Sequence, residues 1–159
     1  MKEDETVSLS IKVKVKKLSE KVGSLFPLPF YASPGAAGMD ICACLDEPLA
    51  VRPLERVQVP TGIAVKIPPG VVGLLFPRSG NAWRLGMTLS NAVGVIDSDY
   101  TGEIRVLLTN LDPDRPFLIE PGQRIAQLVF VPVFRAELET VEELEETDRG
   151  SGGFGSTGR

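Results

Sequence analysis

At 159 residues the chain suits one domain, long enough to bury a core without disulfide or metal staples. Hydrophobic residues make up 43% and charged residues 24%, and the net charge of −4 argues against general nucleic-acid binding while leaving room for a small anion held locally. There is no histidine, which excludes Ser-His and Cys-His catalysis and His-ligated metals and leaves acid–base work to Asp, Glu, Lys, Tyr or Cys.

The amino terminus, MKEDETVSLS, is too charged for a signal peptide, and no apolar run approaches a membrane span. A cytoplasmic protein with no membrane partner is therefore expected. Residues 10–17 alternate, placing Ile11, Val13 and Val15 on one face and Lys12, Lys14 and Lys16 on the other, as in a solvated edge strand. Residues 37–43 (AGMDICA) set Asp40 in an otherwise apolar strand, where a carboxylate is costly unless paired. Its alternatives are a salt bridge to an arginine or a place near a metal-bound phosphate. Cys42 and Cys44 are two apart on one expected strand and so share a face; two thiols are too few for a structural zinc site.

Strands are expected at 63–67 and 71–76, with prolines such as Pro60, Pro68, Pro69 and Pro77 between segments. Residues 77–82 (PRSGNA) follow. Proline ends the strand, Arg78 supplies a planar cation, and Ser79 and Gly80 offer a hydroxyl and open N–H groups where a short helix begins. A plain surface turn is the competing reading. Residues 94–103 (GVIDSDYTGE) read as a hairpin, with an apolar approach, a polar tip and a strand from Ile104. Its carboxylates either cap a turn through side-chain hydrogen bonds or do chemistry. If one is functional it is Asp97, which directly follows a buried strand, while Asp99 sits nearer the tip. Tyr100 is either core or one wall of a pocket for a flat or sugar-like ligand.

Strands are also expected at 103–109 and 125–134, with Pro132 marking an edge or a bulge. In 122–128 (GQRIAQL), Arg124 reads as a partner for an acid and Gln127 as the ligand contact. Residues 141–146 could form a brief acidic helix. The chain ends in RGSGGFGSTGR, on composition a flexible tail, or else a flap whose glycines expose N–H groups to phosphate and whose Phe154 lies on a base. It lacks the Gly-Lys-Ser/Thr ending of a Walker loop. Many short strands between Gly and Pro turns point to an all-β fold, a sandwich or jelly roll.

Taken together and in order, AGMDICA, PRSG, GVIDSDYTGE, GQRIAQL and RGSGGFGSTG resemble the five motifs of the trimeric dUTP pyrophosphatase (dUTPase) family, from about Gly35 to the carboxyl terminus. The resemblance implies a jelly-roll catalytic domain over 1–148 and a mobile arm over 149–159. It implies a homotrimer with active sites at subunit interfaces, dUTP as substrate and Mg²⁺ as cofactor. Asp97 would activate the water that attacks the α-phosphorus. Tyr100 would pack on the deoxyribose, and Asn91 with backbone groups near Val95, Ile96 and Arg105 would read uracil. Arg78, Ser79, Gly80 and Gln127 would hold the phosphates. Arg149, Ser156 and Thr157 would cover them, with Phe154 stacked on the base. Mg²⁺ would sit on the phosphates, with Asp40 reaching it through water at most. Asn81 and Thr101 depart from the usual pattern at positions given no chemistry.

Two rivals remain. A dCTP deaminase or bifunctional enzyme of the same fold would carry a glutamate base where this chain has Leu107. A nucleotide-gated regulatory protein would keep the pocket as a switch for a partner.

Overall fold

The computed structural model describes residues 10–153. In chain order the elements are β1 (Lys14–Lys17), β2 (Phe30–Tyr31), β3 (Met39–Cys42), β4 (Leu49–Val51), β5 (Arg56–Lys66) and β6 (Val71–Phe76), then α1 (Ser79–Leu85), β7 (Met87–Leu89), β8 (Gly94–Ile96), β9 (Glu103–Asn110), β10 (Phe117–Ile119) and β11 (Arg124–Pro132). One sheet runs β1-β5-β9-β7, a second β2-β3-β11-β6-β8, and β4 pairs with β10 alone. All pairings are antiparallel.

Alternation along each strand builds the core. On β9, Ile104, Val106, Leu108 and Asn110 turn inward, while Arg105 and Leu107 turn out. The three apolar ones meet Ile41, Leu75, Ile96, Ile125 and Leu128 from the other sheet, and Ile67 just beyond β5, in one apolar cluster. Asn110 is fully buried but satisfied: its Nδ2 donates to the Val51 and Arg115 carbonyls at 3.2 and 2.8 Å, and its Oδ1 accepts from the Asp112 N–H at 2.9 Å. Those bonds tie the end of β9 to β4 and to the loop before β10.

The all-β expectation holds, and the chain has the jelly-roll-like architecture. Four local expectations change. Pro60 lies inside β5, opposite Arg105, where β5 runs from Pro60 to Ala64 while β9 runs only from Arg105 to Glu103. The resulting bulge suits a residue with no N–H to give. Gly62 sits in it at φ 69°, and a β-carbon there would come within 2.8 Å of the Cys44 sulfur. Cys44 falls beyond the end of β3, so the two cysteines do not share a strand. Residues 141–146 form no helix; Glu142, Glu143, Glu145 and Glu146 repel at helical spacing, and so short a segment has no buried face to hold it. Finally, β8 and β9 do not pair with each other. β8 bonds to β6 and β9 to β5 and β7, so 94–103 crosses between sheets instead of closing a hairpin. Pro132 does end β11, at a point past the stretch that β3 covers.

Candidate active site

Because β8 and β9 belong to different sheets, they part and leave a cleft of about 250 Å³ between them. Gln58, Leu75, Asn91, Val95, Tyr100, Arg105 and Leu107 are among its lining residues. β8 is the last strand of its sheet, and β7 pairs with β9 only at Leu108–Asn110. The free edge of β8 and the side of β9 around Arg105 that is turned away from β5 therefore carry backbone N–H and C=O groups with no strand partner among the described residues. These two strips face the same cleft, and a flat ligand with its own donors and acceptors can bridge them. Leu75 and Leu89 give the cleft an apolar floor.

Asp97 is the first residue beyond β8. Its carbonyl accepts the Tyr100 N–H at 3.1 Å, closing a tight turn, and the Lys66 ammonium donates to the Ser98 carbonyl at 2.9 Å. The Asp97 carboxylate is exposed and makes no hydrogen bond or ion pair among the described residues. A rigid backbone under an unengaged carboxylate is what a general base needs. The capping alternative is not what the fold uses here. Tyr100 is also held firmly: its hydroxyl donates to the Glu103 carbonyl at 2.9 Å, and its ring lies over Gly102. A β-carbon on Gly102 would sit 2.6 Å from that hydroxyl, so any larger residue there would displace the Tyr100 ring.

The cationic group lies at the other end of β6. Gln127 on β11 stands between Asp40 on β3 and Phe76 on β6, and its side-chain amide reaches the Pro77 carbonyl at 3.4 Å. Asp40 is buried, and each of its oxygens accepts from an arginine: Oδ1 from Arg78 Nε at 2.9 Å, Oδ2 from Arg124 at 3.0 Å. The expected ion pair to arginine is present, and it is double. Both oxygens are engaged, and among the described residues no group of three acidic or thiol side chains could cage a metal. Arg78 is the residue before α1, and its remaining guanidinium N–H groups are not tied to Asp40. Ser79 and Gly80 open the helix, where backbone N–H groups lack intrahelical partners.

Asn81, given no role from the sequence, is buried and donates to the Arg124 carbonyl at 2.9 Å, fastening the start of α1 to β11. Cys42 lies beside this group with its pKa raised, first by burial and then by the Asp40 charge, so it stays a thiol.

The two halves of the candidate site lie far apart in this chain. Ile96 pairs with Gly73, so Asp97 continues toward Val72, whereas Arg78 lies two residues past the far end of β6. Six residues of extended chain separate those levels, about 20 Å at roughly 3.3 Å per residue. Arg149 lies in an exposed turn, its Nε donating to the Gly152 carbonyl at 2.8 Å. Phe154, Ser156 and Thr157 lie outside the described residues.

Comparison with known proteins places this geometry. The sequence model of the dUTPase family matches residues 25–158. The chain belongs to the dUTPase family. It is 51% identical to the deoxyuridine 5'-triphosphate nucleotidohydrolase of Citrobacter koseri, over 93% of this chain and 97% of that protein. Identity to the protein of the same name from Syntrophotalea carbinolica is 54%, over 94% and 98%. Among solved dUTPases, that of Staphylococcus bacteriophage 80alpha with dUpNHpp superposes with TM-score 0.81 at 32% identity, covering 94% of this chain and 100% of that chain. A point variant of the phage phi11 dUTPase of S. aureus, described as coordinating a structural Mg(II) ion, gives TM-score 0.73 at 29% identity, over 86% and 100%.

Proposed function

We propose that this dUTPase hydrolyses dUTP to dUMP and pyrophosphate at sites shared between copies of a homotrimer, with Asp97 as the base. The observation that carries the reading is the β8–β9 cleft, with open backbone on both walls and an unengaged carboxylate at its end. Uracil presents alternating acceptors and a donor along one edge. Backbone groups near Val95, Ile96 and Arg105, with the Asn91 amide, would answer them. Cytosine would offer the wrong pattern, and thymine would bring its methyl group against the slot. The Tyr100 ring, pinned at its hydroxyl, would leave no space for a ribose 2′-hydroxyl.

Asp97 would orient a water and take its proton as the oxygen bonds to the α-phosphorus. The bond from the α-phosphorus to the bridging oxygen then breaks, and pyrophosphate carries the electron pair away. Arg78, Ser79, Gly80 and Gln127 of another copy would hold the phosphate oxygens, since the strand register keeps them far from Asp97 of their own. The arm, residues 149–159, would bring Arg149, Ser156 and Thr157 over the phosphates and Phe154 over the base. Phe134, Leu138 and Leu144 leave β11 almost wholly exposed, which suits a segment that lies on another copy. Mg²⁺ would be held mainly by the substrate's phosphates, with Asp40, already paired with two arginines, reaching it through water at most. Free Cys42 and Cys44 suit a reducing compartment, and we place the enzyme in the cytoplasm. No helix among the described residues is long and apolar enough to cross a membrane.

Deamination of dCTP is disfavoured by Leu107, which lines the cleft where a proton-transferring carboxylate would stand. Pyrophosphate release should follow dUTP alone among dUTP, dCTP, dTTP and UTP, with Mg²⁺ present; ammonia from dCTP would overturn the reading. The shared site has its own test. Asp97→Asn and Arg78→Ala, each nearly inactive, should regain activity when refolded together, because some mixed sites hold both native residues. Recovery no greater than the sum of the two would show each site to be self-contained.

A further inference from the structure

Glu103 stands at the root of the turn that carries Asp97 and Tyr100, and its carbonyl and both side-chain oxygens are used. Its carbonyl accepts the Tyr100 hydroxyl at 2.9 Å. One side-chain oxygen, Oε1, accepts the Gly62 N–H at 3.1 Å. The other, Oε2, pairs with the Arg105 guanidinium at 2.9 Å, and Arg105 reaches Gln58 at 3.2 Å. These contacts span the place where β5 and β9 slip register. The bulge between Pro60 and Ala64 removes Gly62 from the ladder and leaves its N–H without a strand partner. Gly62 cannot shift easily, because Cys44 and Val22 close in behind it. The Glu103 side chain, only one-fifth exposed, thus joins the bulge of one strand to the cleft wall of the next.

From this we infer that Glu103 is a positioning residue: it sets the height of the Tyr100 ring over the cleft and holds the Arg105 side chain back against Gln58. The inference rests on the reading of the cleft as the deoxyuridine site. The physical argument is one of linkage along a short chain. Only Thr101 and Gly102 separate Tyr100 from Glu103, and the ring already lies against Gly102. A loss of the Gly62 bond therefore loosens the Glu103 backbone and, with it, the carbonyl that fixes the Tyr100 hydroxyl. Misplacement of a wall by a fraction of an ångström is felt most where the wall discriminates by contact.

The test is sugar selectivity, which a role in stability alone would not move. In Glu103→Ala the ratio of kcat/KM for dUTP to that for UTP should fall by about tenfold, with KM for dUTP raised more than kcat is lowered. Glu103→Gln keeps an oxygen for the Gly62 N–H and should restore most of the ratio. An unchanged ratio in Glu103→Ala overturns the inference, whatever happens to Tm. So does a Glu103→Gln no more selective than the alanine variant. If Glu103→Ala does not fold, Glu103→Asp, one methylene too short to span to Gly62, is read in the same way. Failure of the wild-type enzyme to hydrolyse dUTP would instead sink the functional reading on which the inference stands.

Discussion

The two ends of β6 are built on opposite plans. At the β8 end the backbone is open, Asp97 is solvent-exposed, and its carboxylate has no partner among the described residues. At the Phe76 end the charges are closed on one another, with Asp40 buried between Arg78 and Arg124 and Gln127 beside them. Under the proposed function, the difference matches the part each end would play. An unengaged carboxylate on a fixed backbone costs the fold little and is free to react. A buried carboxylate between two cations fixes the direction of both guanidinium groups, so the cationic end is pre-aimed before any ligand arrives.

That contrast predicts which substitutions hurt chemistry and which hurt stability. The largest effect should come from Asp97→Asn: kcat lower by ~10²–10⁴, about 3–5 kcal/mol in barrier, with Tm scarcely altered. Near-normal turnover in steady-state assays would remove Asp97 from the mechanism. Asp40→Asn should behave in the reverse way. It leaves two cations facing an uncharged amide, and thermal or urea unfolding should show about 1–3 kcal/mol lost, below the range for fully buried pairs because both arginines are partly solvated. KM should rise as Arg78 loses its aim. A variant with unchanged stability would show that the ion pairs are ornamental.

Smaller effects sharpen the picture of the cleft. Gly102→Ala must displace Tyr100, and the fold should survive while selectivity for dUTP over UTP drops about tenfold in competition assays. The smallest effect concerns Cys42. Its folded pKa is raised, so its contribution to stability is complete below the ordinary thiol pKa and is lost as pH rises through the folded value. Cys42→Ala should therefore flatten the alkaline fall of Tm and leave the neutral range almost unchanged. Thiol-reactive probes should label native Cys42 more slowly at pH 8 than a free thiol, and labelling at the free-thiol rate would contradict its raised pKa and partial burial.

Much of this was legible in the linear sequence. Aliphatic content between turns predicted the strand from Glu103, alternation predicted the lysine-bearing edge, of which Lys14–Lys17 pairs with β5, and the order of the five motifs pointed to the family. Asp97 and Tyr100 stood out as candidates because residue type and local spacing single them out. The joining of the site's parts was not readable. Asp40 called for a partner, and only the register of β3 against β11 and its approach to Arg78 showed that two arginines supply it. Asn81 looked incidental until its amide met the Arg124 carbonyl, forty-three positions away in the chain.

The sequence by itself determined the strand-rich architecture, the absence of histidine chemistry and the position of Asp97 directly after a strand, because hydrophobic period, composition and turn residues act over a few positions. Tertiary structure alone decided that β8 and β9 would separate into two sheets, so that an expected hairpin became an open cleft. It also decided that Pro60 would enter a strand through a bulge and that Glu103 would brace that bulge. The physical reason is the same in each case. Which edge a strand pairs along is set by the burial of distant partners, and no local pattern of residues encodes who those partners will be.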